Sequence, residues 1–193
     1  MKKNVFILFC LIAWCTSSVA TTISISGTTV YKSDGSTLLP QGSYISVGYF
    51  GSSFSNFSGL SSRTWADITS TDYTEVFNST VSPAGEASGS GTGNGILNET
   101  LYVWFFDSNA TPTNVSSQEY GLYTGSDANW TASGDNIFSD FNFLDINIID
   151  SAVFGSDLGP SSISLQAVPE PSTFAALSGF FALTWVMLRR RRA

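Results

Sequence analysis

Carboxylates are the only titratable side chains this chain carries in quantity: 15 Asp and Glu stand against 8 Lys and Arg, with no histidine and two cysteines. Two carboxylates held about 5–9 Å apart across a cleft are what glycoside hydrolysis needs. Glu75, Glu99 and Glu119 are formally available for that role. A second cluster is rich in oxygen ligands: Asp140, Asn142, Asp145, Asn147 and Asp150, preceded by Asp127, Asn129 and Asp135. Hard oxygen donors of this kind suit calcium. Their order departs from the EF-hand pattern D-x-[DN]-x-[DN]-G, and Asp and Asn are also ordinary turn residues. A third possibility is stacking on sugar rings, for which Tyr123 and Trp130, near a loop, are the candidates. Burial is the default for a tryptophan, and Trp65 and Trp104 are expected to pack inside.

The missing residues exclude more than the present ones suggest. Without histidine there is no Ser-His-Asp or Cys-His catalysis and no His-ligated zinc. Six of the eight basic residues lie at the two ends, which leaves only Lys32 and Arg63 between them. A phosphate clamp therefore lacks its cations, and so acidic a surface repels nucleic acid and anionic lipid. The glycines at 85, 89, 91, 93 and 95 match neither GxGxxG in a strand-to-helix setting nor a Walker motif. The chain reads as non-catalytic, with no catalytic residues, no dedicated metal site and no cofactor apart from the calcium possibility.

The elements that must position these residues belong to residues 21–167, long enough for one domain with a substantial core. Cys10 and Cys15 both precede that segment, so it has no disulfide. Alternation around Ile23 and Ile25 predicts a half-buried strand from Thr21 to Val30. Lys32–Ser36 contains Asp34-Gly35, the strongest short hairpin signal. From Gln41 to Phe50, Ile45, Val47 and Tyr49 share one face while Tyr44, Ser46, Gly48 and Phe50 share the other. Between Ser52 and Thr80 the apolar spacing lengthens to three to five, which predicts short helical turns inserted over one end of a sheet. Ser82 to Gly95, SPAGEASGSGTGNG, reads as a flexible Gly/Ser loop. Ile96 to Phe106, ILNETLYVWFF, reads as a central strand covered on both faces. Glu119–Thr124 and Ser161–Val168 read as further strands, and a phase shift near Leu144 within Phe138–Val153 as a β-bulge. The expected fold is mainly β: an antiparallel, β-sandwich-like domain with a short helical insertion.

The two ends follow other rules. Lys2 and Lys3, the apolar stretch Val5–Trp14 and the small residues Ser18-Val19-Ala20 form a secretory leader, residues 1–20, cleaved after Ala20. A retained N-terminal anchor is the alternative. Bulky Phe9 and Trp14 before the two cysteines exclude lipoprotein processing. Residues 168–193 contain Pro169, Glu170 and Pro171, then an apolar stretch 172–188, then Arg189, Arg190, Arg191 and Arg192. The prolines hold the motif extended. As a helix, Phe174–Leu188 would cover about 22 Å at ~1.5 Å per residue, against a hydrocarbon core of ~30 Å. The transmembrane span is marginal even when counted from Ser172. Basic residues beside a span stay on the cytoplasmic side, so the arginines set the orientation with residues 21–167 outside.

Pro-Glu-Pro, a short span and a basic end, behind a leader peptide, resemble the PEP-CTERM sorting signal of Gram-negative bacteria. The likeness rests on Val168–Thr173, the span and Arg189–Arg192, and covers only residues 168–193. It implies that a membrane-embedded cysteine protease, an exosortase, reads the tail after signal peptidase has removed the leader. It also implies a membrane-anchored intermediate, then release or attachment at the cell surface or extracellular matrix, where extracellular polysaccharide is an expected partner. A plain C-terminal anchor is the alternative. On this reading the chain is a non-catalytic exported surface or matrix protein. The other reading is a carbohydrate- or calcium-binding surface module with the same tail.

Overall fold

Strand β1 (Ala20–Tyr31) carries Ile23, Ile25 and Val30 into the core. The switch from odd to even positions falls at a β-bulge. Pairing with β4 (Glu86–Asn94) shifts between Ile25 and Thr28, and Gly27 sits at φ +80°. Glycine takes that backbone region without a Cβ penalty. The computed structural model describes residues 20–94, 96, 98–125, 130–131, 138–142, 151–159, 162–168 and 180.

The strands form two five-stranded sheets. In the first, β4, β1, β10 (Ser162–Ser164) and β9 (Ser156–Gly159) lie in that order, and β7 (Phe138–Asn142) also pairs with β1. In the second the order is β3 (Tyr73–Thr80), β2 (Tyr44–Phe50), β5 (Leu101–Phe106), β6 (Tyr120–Thr124) and β8 (Ser151–Phe154), antiparallel throughout. The mainly β expectation holds. The purely antiparallel one needs correction, because β7 and β10 both run parallel to β1. A hairpin forces antiparallel pairing, whereas strands that return by a long connection are free to pair parallel. Here β4 takes one edge of the 12-residue β1, and the other edge is divided between β7 along Thr22–Ser26 and β10 along Thr29–Tyr31.

One core lies between the sheets. Ile23, Ile25, Val30, Ala87 and Ile163 meet Ile45, Val47, Phe77, Leu101, Val103 and Phe105 across it. The alternate residues of the second sheet, Tyr44, Phe50, Trp104, Phe106, Tyr120 and Leu122, build a second core on its outer face. The two-sided reading holds for Leu101–Phe106, but the strand expected from Ile96 begins only at Leu101, because Asn98 at φ +66° and the Glu99 N–H to Ile96 carbonyl bond make a turn ahead of it. This second core is roofed by a 3-10 turn at Phe57–Ser62, by α1 (Trp65–Thr71) and by a 3-10 turn at Val115–Ser117, which contribute Leu60, Trp65, Ile68 and Val115. Trp104 and Phe106 stack with centroids 5.4 Å apart, and Trp65 meets both edge-on at 5.8 and 5.2 Å. Such offset and T-shaped contacts suit the aromatic quadrupole.

The helical insertion is thus present, but it covers a face of the sheet rather than an end, and it stops earlier than its spacing suggests. Tyr73–Thr80 is strand β3. Gly48 faces Glu75 while Val47 faces Phe77, so Val76 is a bulged extra residue. Tyr73 then points to the outer core and Phe77 to the inner one. A four-residue interval made by a bulge imitates one made by a helical turn. α1 itself opens on Thr64, whose hydroxyl accepts from the Asp67 N–H at 3.1 Å.

A second correction concerns Ser82–Gly95. Glu86–Asn94 is not a loop but a strand paired along β1. Ala87, Gly89, Gly91 and Gly93 turn inward, and Glu86, Ser88, Ser90 and Thr92 are exposed. A Cβ on Gly91 would lie 2.2 Å from the Phe77 Cβ, and one on Gly89 2.6 Å from the Ser79 Cβ. The glycines mark a close approach of β4 to β3, one recognised reason for glycine within a strand.

After β1 the chain reverses through Lys32–Thr37, and Leu39 N–H donates to the Val30 carbonyl. The Asp34 carboxylate accepts from the Thr37 hydroxyl at 2.5 Å and from the Thr37 and Ser36 N–H groups at 2.7 and 2.8 Å. The Thr37 hydroxyl, then these N–H groups, hold its pKa down to about 2. A depressed carboxylate stabilises the fold above its unfolded value of about 4 and loses that contribution as pH falls toward 2. Asp34→Asn should therefore melt below wild type at pH 6. The gap in melting temperature should close between about pH 4 and pH 2; a gap that is constant with pH would contradict this assignment.

Among the described residues no helix is long and apolar enough to cross a membrane. The expected leader ahead of Ala20 and the expected span 172–188, except Phe180, lie outside the described residues. So does the bulge expected near Leu144.

Candidate functional site

The sorting residues Pro169, Glu170, Pro171 and Arg189–Arg192 lie outside the described residues. What adjoins them is described. Ala20 is the first residue of β1 and pairs with Asn94, so removal of residues 1–20 would take one position from that strand and leave Thr21–Tyr31. At the other end Gln166 exchanges backbone hydrogen bonds with Tyr120 at 2.7 and 3.4 Å, and Val168 packs on the outer core. Ordered packing therefore reaches the residue immediately before Pro169.

Of the calcium candidates, Asp140 and Asn142 are register partners of Ser24 and Ser26 on β1. Asp127, Asn129, Asp135, Asp145, Asn147 and Asp150 lie outside the described residues. No group of three or more acidic, His or Cys side chains that could hold a metal occurs among the described residues.

Tyr123 and Trp130, the sugar-stacking candidates, are each 0% exposed. This corrects the expectation: rings enclosed on both faces cannot receive a sugar. Tyr123 sits in the inter-sheet core, where its hydroxyl donates to the Ser164 carbonyl at 2.5 Å and ties the second sheet to β10 of the first. Burial raises its pKa, which keeps it a donor. Trp65 and Trp104 are inside, as expected, at 4% and 0% exposure.

The three glutamates do not form an acid pair. Glu75 is on β3 and Glu119 directly precedes β6, three strand spacings (about 14 Å) across the same sheet and further offset along the strands, since Glu75 is level with Tyr102 and Glu119 lies beyond Phe106. Glu119 accepts from the Ser33 N–H at 2.9 Å and the Ser33 hydroxyl at 2.7 Å, and so clamps the turn after β1 to the second sheet. Glu99 lies in the turn ahead of β5.

Glu75 is different, because it borders a cleft of about 620 Å³. The walls are Tyr44 on β2, Glu75 and Asn78 on β3, Thr64–Ala66 and Thr69 at α1, and the loop Thr111–Thr113. Trp65 N–H donates to the Thr113 carbonyl at 3.0 Å, which fixes the loop to the helix. One Glu75 oxygen accepts from the Tyr44 hydroxyl at 2.8 Å and from the Ser46 hydroxyl at 2.6 Å; the other accepts from the Asn78 amide at 2.9 Å. Burial, then the hydrogen bond to Glu75, pushes the Tyr44 pKa well up, so the phenol stays protonated and donating. The carboxylate is therefore locked in place.

Among the described residues no second carboxylate and no cation lines this cleft. Lys32 is paired with Asp107 at 2.6 Å, and Arg63 with Asp67 at 2.7 Å and with Asp72. Sequence spacing could single out Glu75 only as a carboxylate. Its neighbours come from four segments between positions 44 and 113, which no local pattern connects.

No family model, no curated protein and no solved structure matches the chain.

Proposed function

We propose that the chain is a non-catalytic exported protein of the cell surface or extracellular matrix, delivered through a PEP-CTERM tail that an exosortase processes. The observation that carries this reading is the ordered co-occurrence of leader residues 1–20, Pro169-Glu170-Pro171, the apolar stretch 172–188 and Arg189–Arg192. A short span is a weak anchor, which suits an intermediate held until an enzyme acts on it. Signal peptidase would act after Ala20, and the four arginines would hold the C-terminus inside. The packed fold supports the reading at one point: it runs to Val168, the residue immediately before Pro169, so a cut at the motif would leave the packed residues whole.

Replacing Pro169, Glu170 and Pro171 together by alanine should leave a longer, membrane-retained product in the producing cell. Intact-mass measurement of protein from membranes and from medium checks this, since it reports both processed ends. A wild-type product that still ends in Ala193, or a triple variant processed like wild type, would refute the sorting assignment.

A further inference from the structure

We propose that the cleft between α1, β3 and the loop Thr111–Thr113 binds a neutral saccharide, with Glu75 and Asn78 as its polar anchors. The volume, about 620 Å³, falls within the range of small-molecule sites, roughly 300–1,000 Å³.

The chemistry of the walls selects the ligand class by elimination. Glu75 repels anions, and the cleft supplies no cation to offset it. A metal ion needs several free oxygen ligands, whereas this carboxylate already accepts three hydrogen bonds. An ionised carboxylate has about four acceptor sites, so one remains. That is enough for a hydroxyl donor and too little to attract a cationic side chain strongly. The other polar groups at the walls are threonine hydroxyls: Thr69 donates to the Trp65 carbonyl and keeps its acceptor side, Thr64 accepts from the Asp67 N–H and keeps its proton, and Thr111 and Thr113 are exposed. A ligand that presents hydroxyls at several positions matches such walls. Ala66 adds apolar surface for ring C–H groups, while Pro112 is buried and Trp65, 4% exposed, offers little more than an edge. Glu75 is pre-ordered by Tyr44, Ser46 and Asn78, which lowers the entropic cost of binding. Binding at this cleft does not depend on how the tail is processed.

The test is calorimetric titration of the full chain, held in a zwitterionic, sugar-free detergent. The probes are cellotetraose, mannotetraose and chitotetraose, with tetragalacturonate and calcium chloride as counter-probes. At least one neutral tetrasaccharide should bind. Thr113→Trp, which fills the cleft from an exposed position, should weaken that binding at least about tenfold with the melting temperature unchanged. Glu75→Gln should weaken it as well. Absence of heat with all three neutral sugars, binding that survives Thr113→Trp, or heat from tetragalacturonate or calcium alone would overturn the proposal.

Discussion

Gly91→Val should cost the fold about 3 kcal/mol, the upper end for an overpacked interior. The side chain would be introduced where β4 lies against β3. Its Cβ would come 2.2 Å from the Phe77 Cβ, 2.5 Å from the Cγ and 2.8 Å from the Cδ1. A Cβ neighbour is tethered directly to its own backbone and cannot rotate away, so relief requires the two strands to part. Separation would open the inter-sheet core at Phe77, Ile23 and Ile25, all buried there. Ser90→Val is the control, because Ser90 is exposed on the opposite face of the same strand. A surface change of that kind is expected within about 0.5 kcal/mol of wild type. Urea unfolding of both variants decides the matter. If Ser82–Gly95 behaved as the flexible loop its composition suggests, the two substitutions would be equally mild.

The second large effect is expected on the outer face of the second sheet. Trp104→Ala should destabilise by about 4 kcal/mol, as large-to-small changes of buried aromatics do. Trp104 is wholly buried, stacks on Phe106, and meets Trp65 edge-on and Phe154 at a tilt. Its removal takes the shared support from β5, α1 and β8 together. Trp104→Phe should be far milder, within about 1.5 kcal/mol of wild type. Phenylalanine keeps much of the ring stack. It also deletes a buried indole N–H that finds no hydrogen-bond acceptor among the described residues, which by itself favours the variant. Equal losses for alanine and phenylalanine would show that the site tolerates no change of ring shape and that the stacking account is incomplete. The glycine and tryptophan variants probe different cores, and their effects should add to within a few tenths of a kcal/mol if the two cores act independently.

Some of this architecture is legible in the residues themselves. Alternation assigns Ile45, Val47 and Tyr49 to one face and Tyr44, Ser46 and Phe50 to the other, and both assignments stand. The dense run up to Phe106 is apolar on both faces because both faces are covered. Asp34-Gly35 marks a reversal, closed by a single bridge between Tyr31 and Leu38, but not a hairpin of successive strands, since β1 and β2 go to different sheets. Even β4 had a readable period: glycine recurs at 89, 91 and 93, two apart, with Ser90 and Thr92 between. That period is invisible to a hydrophobicity scale, since the inward residue of each pair has no side chain to score.

Periodicity reports which face of an element is buried, because burial selects residue types locally. It carries no information on which distant element does the covering. So the sequence determined the β character, the faces of β1 and β2, the reversal after β1 and the chemistry excluded by its lack of histidine. Only the tertiary structure decided that β7 and β10 run parallel to β1, that Tyr123 and Trp130 are enclosed, and that a bulge rather than a helical turn separates Tyr73 from Phe77. It also decided that Glu75, set apart from the other carboxylates, gains Tyr44, Ser46 and Asn78 as partners at the rim of a threonine-lined cleft. Those outcomes depend on contacts between residues far apart along the chain, which form only when the sheets close on one another.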